Sequence, residues 1–233
     1  MFSSTHYYAV LSIISVLITL IASITAWRRS APGSFALSQL LLSMAIWSGC
    51  YATRWLDIPV AAKIFWFKIM FVGVATVPTL FLLFALGFTR NEPWLTPRRL
   101  ILLSVQPSIS LLLQWTNDYH HLLYSSLEAL QENSSTIFEL TRGPWYFVNL
   151  VYSYAIIAIG IFLMSQAALR SGPLYRSQYR LTLVASLLPW GGNVFNEVFF
   201  NASNNLDIAP LTFGVSGIIF VFAILRTHFM DLI

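Results

Sequence analysis

Apolar residues dominate seven stretches of this chain, at about 7–27, 34–53, 62–88, 99–116, 145–169, 179–200 and 208–226. A bilayer crossing needs roughly 20 mostly apolar residues, and the stretches match that length. Backbone N–H and C=O groups in lipid must be satisfied within their own segment, so each stretch is predicted to be an α-helix. The fourth and sixth are the least uniform, because polar groups interrupt them. The predicted fold is all-α: a polytopic, seven-transmembrane helix bundle forming one domain over residues 1–233. No basic residue precedes the first segment, and its apolar run exceeds that of a signal peptide, so it is read as a helix and not as a cleaved leader.

Polar residues inside the segments recur at helical spacing, which marks the inward faces. Segment one carries Ser12, Ser15, Thr19 and Ser23, and segment two Gln39, Ser43, Trp47, Cys50 and Arg54. Segment four carries Gln106, Ser110 and Gln114, segment five Tyr146, Asn149 and Ser153, and segment seven Thr212 and Ser216. Such stripes serve first for interhelical hydrogen bonds and close packing. Pro78, Pro107 and Pro189 interrupt segments three, four and six, where a missing amide bends a helix and opens space.

The composition agrees with a membrane protein: 57% of residues are hydrophobic and only 9% charged, against about 25% charged in soluble domains. The net charge of +4 is spread along the chain. It forms no single basic patch, so no nucleic-acid partner is expected. Its distribution alternates between loops. Arg28, Arg29, Arg90, Arg98, Arg99, Arg170, Arg176, Arg180 and Arg226 fall on one side, and Arg54, Arg142, Lys63 and Lys68 on the other. The excess of basic residues faces the cytoplasm in membrane proteins. The N-terminus and the long loop 117–144 are therefore expected outside, and the C-terminus inside, in the cell's inner (plasma) membrane. The length of that loop is unusual for a structureless connection, and it is read as a lid or hairpin over the bundle.

Two ionisable residues fall within segments. Lys68 lies about 9–10 Å inside segment three at 1.5 Å per residue. Glu197 lies about one turn inside the outer end of segment six, on the face of Asn193. Charges at this depth face a bundle interior or a wet cavity. Two readings stand open: a structural Lys68–Glu197 pair, with Lys68 reaching toward the interface, or a ligand site in an aromatic-lined cleft. The candidate cleft lies between segments two, three, five and six, lined by Trp47, Lys68, Tyr152, Asn193 and Glu197. Its aromatic and apolar character suits a small, partly apolar ligand.

No enzyme chemistry emerges from the motifs. HExxH, GxSxG and Gly-rich phosphate loops are missing from the sequence. His120 and His121 beside Asp118 are better read as capping and loop-packing residues than as metal ligands, since neighbouring side chains on a helix diverge. Neither metal nor cofactor is expected. Cys50 is the one cysteine, so no internal disulfide forms.

The run Gln106-Pro107-Ser108-Ile109, then Leu111 to Asn117 and His120-His121-Leu122, resembles the N-terminal seven-transmembrane sensor region of bacterial histidine kinases. Gly143-Pro144-Trp145-Tyr146, Leu174 to Gln178, Pro189 to Asn193 and Leu206 to Pro210 fit the same pattern, as do Phe213, Ser216-Gly217, Ile224-Leu225-Arg226 and Met230-Asp231-Leu232. The resemblance covers nearly the whole chain. It implies a sensor domain cut from a longer parent, in which the seventh helix runs on, through Arg226 and Asp231, into cytoplasmic output domains in cis. Those domains would be a kinase or, less often, a cyclase. Membrane lipid, an unidentified small molecule and a second copy of the chain are the other partners this implies. Glu197 departs from the mostly apolar pattern of the family.

A small transporter is the competing class, and it would show inverted repeats and midplane charges. No repeat is evident, and Lys68 and Glu197 sit off-centre. An integral-membrane enzyme would cluster His, Asp and Glu near one face, which this sequence does not do.

Overall fold

Prolines mark where the helices begin. Pro97, Pro144 and Pro173 open helices at their first residue, Pro59 immediately precedes one, and Pro210 is the second residue of another. A first-turn proline costs no hydrogen bond, because the amide it lacks would have had no intrahelical partner. A computed structural model describes residues 4–132, 135–199 and 208–226. Among these, the helices are α1 (Ser4–Trp27), α2 (Ser34–Ala52), α3 (Val60–Phe88), α4 (Pro97–His120), α5 (Pro144–Arg170), α6 (Pro173–Phe199) and α7 (Ala209–Arg226). The seven apolar stretches thus become seven helices. α4 extends one turn beyond the predicted end, and α6 starts six residues earlier than predicted.

Among the described residues, four helical stretches are long and apolar enough to cross a membrane: Tyr7–Trp27, Ser34–Trp55, Val60–Phe88 and Pro144–Arg170. α4 and α6 fall short through their polar residues, as the sequence pattern suggests. α7 contributes the shorter apolar stretch Ala209–Phe222.

The long loop is the exception to an all-helical chain. Strands β1 (Tyr124–Glu132) and β2 (Ser135–Arg142) form an antiparallel hairpin, with Tyr124 opposite Arg142 at its base and an irregularity between Tyr124 and Ser126.

The helices pack as a ring in the order α1, α2, α3, α5, α6, α7, with α4 outside it against α3 and α5. Small and hydroxyl residues hold the ring closed. In α1, Ser12, Ser15, Thr19 and Ser23 are all buried. Ser15 donates to the Pro210 carbonyl of α7 at 2.8 Å, Ser48 of α2 donates to the same carbonyl at 3.2 Å, and Ser23 donates to the Ser38 carbonyl at 2.9 Å. Three helices are thereby joined at one carbonyl, which suits a medium without a hydrophobic force between helices. At the end away from the hairpin, Gly33 opens α2 at φ +81, where a side chain would be strained and would strike the α3 backbone at Phe88 and Phe84. Midway along α3, a Cβ on Gly73 would meet the Ser43 carbonyl at 2.7 Å and the Trp47 Cβ at 2.8 Å. That close approach sets the position of Trp47.

Candidate functional site

A cavity of about 120 Å³ lies inside the ring and runs from the hairpin base, at Tyr124 and Glu197, past the middle of the bundle to Phe81 and Phe220. Five helices, α2, α3, α5, α6 and α7, line it. α5 presents Tyr146, Asn149, Leu150, Ser153, Tyr154 and Ile157, and α6 presents Ser186, Pro189, Trp190, Asn193 and Glu197. Trp47 of α2, Phe71 and Phe81 of α3, Phe213 and Phe220 of α7, and Tyr124 of the hairpin complete the aromatic character. The cavity thus lies between the four helices expected from the sequence and adds α7 and the hairpin base.

Its polar rim is an ion pair. Arg142, the last residue of β2, donates from Nη2 to Glu197 Oε2 at 2.7 Å. The Tyr146 hydroxyl donates to Glu197 Oε1 at 2.5 Å, and the Arg142 guanidinium lies 4.8 Å from the centre of the Tyr146 ring. Both side chains of the pair are mostly buried, at 29% and 17% exposed. A charge-assisted bond to each carboxylate oxygen and a cation–π contact offset the loss of water around them. The clasp joins the hairpin, the first turn of α5 and the last turns of α6. Tyr124, opposite Arg142, is buried, and burial pushes its phenol well above the ordinary range, so it stays protonated. Deeper in, the Tyr154 hydroxyl donates to Asn193 Oδ1 at 3.0 Å.

Three of the five residues expected to line the cleft do so: Trp47, Asn193 and Glu197. Lys68 and Tyr152 do not. The Lys68–Glu197 pair is corrected as well. Lys68 instead binds Asp118 Oδ2 at 2.9 Å, at the exposed end of α4. It sits one turn above Phe71 on the cavity-facing side of α3, and its long stem carries the ammonium out toward water. Tyr152 donates to the Leu103 carbonyl at 2.8 Å and pairs with Thr79 at 3.1 Å. At 100° per residue it stands about 200° round α5 from Tyr154, on the side facing α4. The stripe Tyr146-Asn149-Ser153 extends by helical spacing to Tyr154, which was the residue to choose. Arg142 was counted only as a loop charge, although it lies one turn before Tyr146. Of the transmission residues, Arg226 ends α7 and Asp231 lies outside the described residues.

The fourth helix supports the hairpin. The Asn117 side chain accepts the Leu123 and Tyr124 amides at 3.0 and 3.1 Å and donates to the Tyr124 carbonyl at 2.9 Å. It thus stands in for a strand edge. His121 caps α4 at φ +53. His120 accepts the Leu122 amide at Nδ1 and pairs with Thr116 through Nε2, so neither ring nitrogen is open to a metal. Higher on the helix, Gln106 donates to Asn149 at 2.9 Å, and the Trp145 indole donates to Ser110 at 2.8 Å. The Gln106-to-Leu122 run therefore ties α4 and the hairpin onto α5.

The family model for the N-terminal 7TM region of histidine kinase matches residues 11–233. The chain belongs to this family. It is therefore a membrane protein and a sensor input region of the histidine-kinase type. No curated protein matches the chain at a significant level. As the family's helical region, the chain joins its cavity to α7 directly, through Ala209, Phe213 and Phe220.

Proposed function

We propose that this chain is the signal-input domain of a membrane sensor histidine kinase in the inner (plasma) membrane. Its N-terminus and hairpin face outside and its C-terminus faces the cytoplasm. A small, partly apolar molecule enters the cavity beneath the hairpin. It shifts or rotates α7, which carries the change past Arg226 to an output domain in cis. One observation carries the reading: a single cavity touches α2, α3, α5, α6 and α7 together, beneath an ion-paired rim. A ligand transmits a signal only by binding two arrangements unequally, and a site shared by five helices supports a ligand that senses their arrangement. The volume of about 120 Å³ is below the roughly 300–1,000 Å³ of sites for drug-sized ligands, which favours a small molecule.

The orientation is tested by reporter fusions after Arg90, Asn133 and Arg176. They are expected to read inside, outside and inside. A cytoplasmic Asn133 would place the hairpin out of reach of any external signal and end the reading.

A further inference from the structure

Among the fully buried polar atoms of the cavity lining, those left without a partner are all of one kind. Glu197 is committed at both oxygens, to Arg142 and to Tyr146, and Asn193 Oδ1 is committed to Tyr154. Two buried polar atoms of the lining have no partner among the described residues: the indole N–H groups of Trp47 and Trp190. An indole nitrogen is a donor only. Trp47 is 8% exposed, wedged between Gly73 and the Phe213 ring 5.1 Å away, and Trp190 stacks edge-on to Tyr154 at 6.4 Å. Leaving such a donor unpaired in an apolar site is costly, and a bound acceptor removes the cost.

We infer that the cavity takes an uncharged, hydrogen-bond-accepting amphiphile of the ketone, ester or lactone type, whose oxygen accepts from Trp47 and Trp190 while its chain lies among Val77, Phe81, Phe213 and Phe220. This rests on the reading of the cavity as the ligand site and names the chemistry of that ligand. An anion is excluded by the lining, which holds no Lys, Arg or His among the described residues. A cation would suit the aromatic rings. It would, however, face two N–H donors, and it would find the Glu197 carboxylate already neutralised by Arg142. Trp47 and Trp190 stand on different helices, α2 and α6, so an acceptor held by both ties together two sides of the ring.

The test uses the full chain in lipid nanodiscs and three probes of equal chain length: hexan-2-one, hexanoate and hexylammonium. Hexan-2-one is expected to bind saturably and to move the ¹⁵N–¹H indole resonances of Trp47 and Trp190 while leaving that of Trp115 in place. Replacing either ring in Trp47→Phe or Trp190→Phe removes one donor and is expected to weaken hexan-2-one by about fivefold, the scale of one lost hydrogen bond. Trp115→Phe is expected to leave it unchanged. Because Trp47 is tightly packed, the indole shifts in the unmutated protein decide the matter if a variant does not fold. Saturable binding of hexanoate or hexylammonium without hexan-2-one would keep the cavity as a ligand site and overturn the acceptor inference. So would ketone binding that leaves both indoles unmoved. Binding of none of the three would overturn both.

Discussion

Glu197 is where one side chain carries most of the local electrostatics. It lies within the sixth segment and is held by Arg142 and Tyr146. Glu197→Gln keeps the shape but leaves the guanidinium mostly buried without its counter-charge. The expected loss is about 1–3 kcal/mol, reduced from the scale of a fully buried pair by the partial exposure of Arg142. Asp118→Asn, at an ion pair whose acid is 71% exposed, is expected to cost clearly less. Thermal unfolding in detergent ranks the two, and equal, negligible effects would show that Glu197 does no more than reach the interface. That Glu197 needed a partner was legible in the sequence, because an acid inside a bilayer segment is seldom left alone. Which partner was not. Arg142 is 55 residues away and at the end of a strand whose register no local pattern sets. Tyr152 was misplaced for a simpler reason: a helix turns 100° per residue, and the stripe through Tyr146 and Ser153 runs to Tyr154.

At the scale of elements, the hairpin depends on α4. Asn117 supplies three hydrogen bonds to Leu123 and Tyr124, next to the strand irregularity. Asn117→Ala is expected to destabilise the protein by about 2–3 kcal/mol, near one per lost bond. Cleavage of the hairpin by a protease should rise with it. Unchanged hairpin protection would mean that the strands stand without this anchor. The helices themselves were legible to within about two turns at their ends, because apolar length and polar stripes at helical spacing report the same thing. The strands were legible only as a long loop read as a lid or hairpin. The two strands are anchored at their base by Asn117 and by the Arg142–Glu197 clasp, and those are tertiary contacts. α4 packs outside the ring against α3 and α5, where Ser110 meets Asn149 and Trp145 of α5 while Asn117 holds the hairpin.

For the whole molecule, the proposed function requires the ring around the cavity to turn a local occupancy into a change in helix arrangement. α7 both lines the cavity and leads out of the bundle, and it is held to α1 and α2 by hydroxyls that meet at the Pro210 carbonyl. A pivot at one end and a ligand contact at Phe213 and Phe220 suit rotation of α7 as the output. The most direct test of this account is autophosphorylation, in nanodiscs, of a histidine kinase that carries this chain as its input domain, with and without one residue inserted after Arg226. The insertion turns everything beyond it by about 100° while leaving the cavity intact. The account predicts that the variant still binds the ligand and no longer changes its phosphorylation rate in response. A variant that binds the ligand and responds as the unmodified kinase does would contradict transmission through α7.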